Sequence, residues 1–239
     1  VNYLALLESF FYLLSDIRSK EMLLQLLAFR IMGHKKIRLP LSQPGYWKVI
    51  DDLDSFMDHE NKLAVTLLRS ARNLSCADLT PLGLPIKLYT MPRTILSQFL
   101  LKQYEYVTDD QLTIGAQPGD VIIDGGACWG DTSLFFANKV KENGKVFSFE
   151  FIPGNLRVAY KNISLNPQFE KTITIIENPL WDESGVKMFY DDNGPGSRVS
   201  AKPLAGHKDE VHTISIDDFV NREQLDKVDL IKMDIEGAE

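Results

Sequence analysis

Basic charge is in short supply. The 239-residue chain carries 26 Lys and Arg against 33 Asp and Glu, a formal net charge of −7. Phosphate binding needs clustered cations to displace counterions, so this balance argues against a nucleic-acid partner. One basic knot, HKKIR from His34 to Arg38, reads as a solvated turn. Cysteine is scarce too: Cys76 and Cys128 are too few for a disulfide scaffold, and the expected setting is reducing, hence cytoplasmic. The four histidines (His34, His59, His207, His212) are scattered, and no Cys or His spacing suits a metal, so none is expected. Long apolar runs are also missing. The opening VNYLALLESFFYLLSD is interrupted by Glu8 and Asp16 and falls short of the roughly 20 residues a spanning helix needs. It lacks the basic start and small-residue cleavage site of a signal peptide. It reads as a core-facing helix, with no membrane partner expected.

What is present divides near residue 105. Residues 1–33 read as two helices, with Ser15 or Asp16 available to cap the second and Gly33 near its end. Within 40–85, VIDDLDSFMDHENKLAVTLLRSA reads as mostly helical, followed by a short strand around Ile86 to Tyr89. Apolar residues return at helical spacing from Arg93 to Tyr106. After QPGD at Gln117–Asp120 the pattern changes. Strands are expected at Val121–Asp124, Lys145–Glu150 and Thr172–Glu177, with helices at Thr132–Lys141 and Asn155–Leu165 between them. Further strands are expected at Val186–Tyr190, Val211–Ile216 and Val228–Asp234. Such alternation implies a parallel sheet covered by helices. The fold class is therefore α/β: a mainly helical extension at 1–105 and a parallel-sheet domain at 106–239.

The turn after the first of these strands, VIIDGGACWGD, narrows the ligand. A dinucleotide fold places G-x-G-x-x-G here. Starting at Gly125 that register meets Ala127, and starting at Gly126 it meets Cys128, so neither fits. The fitting pattern is D-x-G-A-x-x-G, from Asp124 through Gly125, Gly126 and Ala127 to Gly130. A carboxylate at the strand end repels a diphosphate and attracts an ammonium group. That favours a ligand with a ribose and a positive charge but no phosphate: S-adenosyl-L-methionine. The next strand ends at Glu150, where an acidic side chain can hold both ribose hydroxyls, and Phe151 is set to lie against adenine. Each residue also has a structural role open to it. Gly126 and Gly130 serve tight helix–sheet packing equally well, Cys128 and Trp129 are expected to pack, and Asp131 or Thr132 can cap the following helix.

VIIDGGACWGDTSLFFA, KVFSFEFIPGNLRVAYKNISLNP and above all VDLIKMDIEGAE resemble the FkbM family of class I S-adenosylmethionine-dependent methyltransferases, over about residues 105–239. The ending resembles that family's K-x-D-x-E-G-x-E after its fourth core strand. The resemblance implies a Rossmann-like sheet and O-methylation of a hydroxyl on a sugar or polyketide-like molecule. It implies that Asp124, Gly126 and Gly130 surround the methionine end, that Glu150 holds the ribose, and that ENPLWD, with Leu180 and Trp181, borders the adenine; Gly125, Ala127, Thr132 and Phe151 are counted with the same donor site. Asp234 would face the transferred methyl. The chain departs from the commoner wording at FEFIPGN and GGACWG, which alters the walls of the donor pocket.

A hydroxyl acceptor needs a general base within hydrogen-bond reach, and Asp234 and Glu236 are the candidates. The open alternative is that both cap a following helix. Lys232 is placed to pair with one of the carboxylates. Within the Gly- and Pro-rich loop Asp191–Glu210, Arg198 or His207 would meet the acceptor, or the loop is simply exposed. Because no strand follows VDLIKMD, the sheet is expected to be truncated and the chain a fragment. The N-terminal helices are expected to serve dimerisation or acceptor recognition. A non-catalytic methyltransferase-like scaffold is the alternative function.

Overall fold

Local signals at the N-terminus give two helices, α1 (Tyr3–Leu13) and α2 (Ile17–Met32). Asp16 caps α2, its carboxylate accepting the Ser19 N–H at 2.8 Å, and Gly33 at φ +80° ends it. The computed structural model describes residues 3–33, 35–37, 39, 44–67, 70–107, 113–197, 199–200, 202 and 210–236. His34 and Arg38 of the basic knot lie outside them. The chain forms two compact units, Val1–Asp52 and Leu53–Glu239. In the first, the expectation of a core-facing helix fails: Leu4 and Leu13 of α1 are 79% and 80% exposed, and α2 buries no residue. A pair of helices has too little surface to enclose its own apolar stripes.

A third helix, α3 (Pro44–Asp54), leads to the second unit, which opens with strands instead of the expected helix. Strands β1 (Met57–Leu67), β2 (Ser70–Asp78) and β3 (Lys87–Thr90) form an antiparallel sheet in that order. The deciding signal is a period of two. Leu63 and Val65 on β1, and Leu74 and Cys76 on β2, turn to one face, with Leu63 opposite Leu74. Acidic residues ahead of this run hide the alternation. One turn of α4 (Pro92–Thr94) then runs into a π-helical stretch, Ile95–Leu100. Helix ends there, short of the expected Tyr106, because Lys102 takes φ +50°. Two short strands follow, β4 (Tyr106–Val107) and β5 (Thr113–Ile114).

From here the expected alternation is observed. Strand β6 (Val121–Gly125), helix α5 (Asp131–Val140), strand β7 (Lys145–Phe149), helix α6 (Pro153–Ser164) and strand β8 (Ile173–Ile176) follow in turn. Strands β9 (Lys187–Tyr190), β10 (Val199–Ser200) and β11 (Glu210–His212) make a small antiparallel sheet. The strand expected to reach Ile216 stops at His212. Ser215 instead caps a helix, α7 (Ile216–Arg222), accepting the Asp218 N–H at 3.2 Å. Last comes β12 (Leu230–Met233). The parallel sheet has the order β12-β6-β7-β8, so β6 and β12 are neighbours and the strand order reverses between them. Beneath the sheet, Phe219 of α7 stacks edge-on against Phe147 and Phe149. Phe135 and Phe136 of α5 are also buried. Apolar cover on both faces is what an all-parallel sheet requires.

Two asparagines fasten the antiparallel sheet to this frame. Asn162 Oδ1 accepts the Tyr89 N–H at 2.6 Å, and its Nδ2 donates to the Tyr89 and Trp129 carbonyls at 3.1 and 2.9 Å. One helical turn on, Asn166 treats Lys87 the same way, at 2.9 and 2.6 Å. Side-chain amides thus stand in for a neighbouring strand along β3, satisfying backbone groups that burial would otherwise leave unpaired. Val65, Leu74 and Tyr89 pack with Trp129 and Val158 behind this seam. Cys128 and Trp129 therefore pack, as expected, and carry the antiparallel sheet over the loop after β6.

Candidate active site

The loop after β6 runs directly against the end of β12. A Cβ on Gly126, at φ +74°, would stand 2.0 Å from the Asp234 carbonyl oxygen, so no side chain fits there. Gly130, at φ +76°, starts α5 with no side-chain cap. These glycines thus answer to backbone geometry. Gly126 also reaches the cleft wall, while Gly125 and Gly130 are not among the residues that line it.

Asp124 departs from expectation. Its carboxylate does not line the cleft and is fully buried. Oδ2 accepts from Thr132 and Ser133 hydroxyls at 2.7 and 3.0 Å, and Oδ1 pairs with Lys232 Nζ at 3.1 Å. Lys232 also donates to the Gly125 and Gly126 carbonyls, each at 2.9 Å, with the Tyr104 ring 5.4 Å from its ammonium. An uncompensated buried charge is costly, so the pairing draws Asp124 inward. Thr132 accordingly ties the helix to the strand and does not cap it, though it reaches the cleft.

Two recesses share Gly126, Cys128, Pro195, Asp234 and Glu236 as walls. They lie at the C-terminal tips of β6, β7 and β12, beside the reversal of strand order where open α/β sheets take ligands. The first recess holds Glu150, Phe151, Asn155, Pro179 and Leu180. Burial pushes the Glu150 carboxyl up to about 7, against hydrogen bonds from Ile152, Asn155, Phe151 and Cys128 that favour its charge. Phe151 meets Tyr190 edge-on at 5.6 Å. Leu180 is buried on the wall, whereas Trp181 is not among the lining residues: its N–H is held by the Ile214 carbonyl at 3.1 Å as the chain passes beside 214. Pro195 comes from a turn anchored where the Gly154 N–H meets Asp192 Oδ2 at 3.1 Å.

The second recess adds Ala127, Asp131, Thr132, Met91, Gln103 and Tyr104. Burial raises the Asp131 carboxyl to about 6, opposed by Lys232. Asp234 is exposed, and its Oδ2 accepts the Tyr104 hydroxyl at 3.0 Å. Burial first, and the neighbouring Asp234 second, hold the Tyr104 hydroxyl well above the usual phenol range, so it remains a donor. Glu236 takes φ +58° on the shared wall. Sequence reasoning missed Tyr104 and Asn155. Tyr104 sits in no motif, and Asn155 closes FEFIPGN, where it reads only as the start of the helix after Glu150. Arg198, His207 and the last three residues of KMDIEGAE lie outside the described residues.

The model of the methyltransferase FkbM domain matches residues 113–239. The chain belongs to this family. The β6 loop and the Lys232–Glu236 segment both fall in the FkbM domain, and the β1–β3 sheet precedes it. No curated protein matches the chain. Solved structures similar to this FkbM chain include a putative rRNA methylase from Clostridium thermocellum, at 25% identity over 27% of this chain and 35% of that one, TM-score 0.26. A SAM-dependent methyltransferase from Aquifex aeolicus follows at 18% identity, covering 36% and 41%, TM-score 0.27. Aeropyrum pernix fibrillarin, in complex with natively bound S-adenosyl-L-methionine, has 13% identity, covering 50% and 57%, TM-score 0.24. The chain thus spans between 35% and 57% of the length of these structures. Among the described residues no helix is long and apolar enough to cross a membrane.

Proposed function

We propose that this chain binds S-adenosyl-L-methionine across the two recesses and directs methyl transfer to a hydroxyl of a sugar or polyketide-like acceptor. The observation that carries the reading is the meeting of Glu150, at the tip of β7, and Asp234, just past β12, on the walls of one cleft. The donor fits the chemistry of those walls. Glu150 suits a ribose, Phe151, Pro179 and Leu180 suit an adenine face, and a buried, unpartnered oxygen of Asn155 awaits a donor group. Ala127, Asp131 and Thr132, in the second recess, suit the methionine end, where a carboxylate favours the ammonium group.

When bound, S-adenosyl-L-methionine supplies an electrophilic methyl on a sulfonium sulfur. The protein's part is to hold an acceptor oxygen in line with it and to take the proton that oxygen loses. Asp234 is suited to the proton: it is exposed to the cleft, and one oxygen is fixed by Tyr104 while the other is left for the acceptor. Glu236, on the same wall, is the second candidate base. Residues 106–239 carry the donor site on this reading, with the preceding segment contributing Met91, Gln103 and Tyr104 to the acceptor side.

Calorimetric titration with S-adenosylhomocysteine tests the reading, with NAD as control and Glu150→Ala alongside. Binding weakened by Glu150→Ala, with NAD silent, is the expected result. A folded chain that binds neither would leave the non-catalytic scaffold in its place.

A further inference from the structure

Glu150 has few acceptor positions left. Its Oε1 accepts the N–H groups of Phe151 and Ile152, each at 2.7 Å, and its Oε2 accepts Asn155 Nδ2 at 3.0 Å. A carboxylate offers about four lone-pair sites, and these three donors leave about one. A ribose brings two hydroxyls, and each needs an acceptor when water is removed.

The adjoining acceptor is Asn155 Oδ1. Asn155 is 3% exposed and lines the same recess. Of the described buried side-chain atoms without a hydrogen-bond partner, Asn155 Oδ1 alone belongs to a residue on that wall. Its orientation follows from its neighbours. Nδ2 faces two acceptors, Glu150 Oε2 and the Gly194 carbonyl at 3.3 Å. Turning the amide over would set three oxygens against one another, so the oxygen is the end left free. A buried carbonyl oxygen with no donor is costly until a ligand supplies one.

We propose that Asn155 Oδ1 accepts one of the two ribose hydroxyls of the donor, so that Asn155 and Glu150 together read the diol. This rests on the donor-site reading above. The direct bond between Asn155 and Glu150 favours the ribose over the adenine amino group, because it keeps the free oxygen beside the carboxylate that meets the sugar.

The test is a titration of the full chain and of Asn155→Leu with four ligands: S-adenosylhomocysteine, its 2′-deoxy and 3′-deoxy forms, and its 6-oxopurine form. One deoxy form should bind the unaltered chain about tenfold more weakly than the parent ligand, and Asn155→Leu should bind those two alike. Retention of both deoxy penalties in Asn155→Leu, or transfer of the coupling to the 6-oxopurine form, would overturn the assignment. Should Asn155→Leu fail to fold, crystals of the unaltered chain with S-adenosylhomocysteine decide. A ribose oxygen within hydrogen-bond distance of Asn155 Oδ1 supports it, and both hydroxyls on Glu150 or on water refute it. Silence of all four ligands with the unaltered chain is a different failure, since it removes the donor site itself.

Discussion

Glu150 and Asp234 occupy equivalent places, each just past the tip of a parallel strand, yet their surroundings differ. Glu150 is 6% exposed and ringed by N–H donors, with burial lifting its carboxyl to about 7. Asp234 is exposed, with Tyr104 on one oxygen. A third strand-tip carboxylate, Asp124, is fully buried and tied to Lys232. Position at a strand end is therefore no guide to role. What separates the three is the number of donors around each and the water it retains: Asp124 braces the frame, Glu150 suits binding, and Asp234 suits proton transfer.

That contrast can be broken most sharply at Asp234. Asp234→Asn is expected to lower turnover roughly 100- to 10,000-fold, the usual range for losing a general base. Affinity for S-adenosylhomocysteine should stay near the unaltered value in calorimetry. Equal losses in both would erase the distinction from Glu150. Next in size is the Asp124 brace. Lys232→Met leaves a buried carboxylate uncompensated and should cost about 3–5 kcal/mol in urea unfolding, with Asp124→Asn in the same chain restoring part of the loss.

Glu150 sharpens the comparison through pH. Glu150→Ala should weaken S-adenosylhomocysteine binding roughly 10- to 100-fold, in keeping with hydrogen bonds to a charged group, and spare turnover at saturating donor. In the unaltered chain, affinity should fall as pH drops through about 7, because the protonated carboxyl loses acceptor sites. Stability should run the other way. The folded state keeps the Glu150 proton up to about 7, while the unfolded chain releases it near 4.5, so stability is lost as pH rises through that window. The change is about 3 kcal/mol at 1.36 kcal/mol per unit, and chemical unfolding of Glu150→Gln should lack it. The smallest effect is expected at Tyr104. Tyr104→Phe removes one hydrogen bond of about 1 kcal/mol and should reduce kcat several-fold, leaving donor affinity unchanged.

The parallel-sheet half was legible in the residues because its signals are local. β6, α5, β7, α6 and β8 fall within a few residues of where apolar periodicity puts them. The family's loop and the Lys232–Glu236 segment come together as neighbouring strands imply. The first hundred residues were harder. The strand at Met57–Leu67 shows its alternation only once Leu63 and Val65 have a partner face on β2. Asn162 and Asn166 could be recognised as a motif, but their grip on Lys87 and Tyr89 lies 73 to 79 residues back along the chain. Trp181 lines neither recess, its backbone N–H being held by the Ile214 carbonyl.

The sequence by itself determined the α/β alternation, the glycine spacing that rejects a dinucleotide and the acidic residue at each strand end, since periodicity, turn chemistry and charge act over a few residues. Tertiary structure decided the surroundings of each carboxylate. Lys232 reaches the Gly125 carbonyl from 107 residues away and takes Asp124 out of the cleft. Tyr104 meets Asp234 across 130 residues. Burial and hydrogen-bond count are properties of the assembled neighbourhood, and they set three like groups in three different surroundings: ion-paired and buried, buried among N–H donors, and exposed beside a phenol.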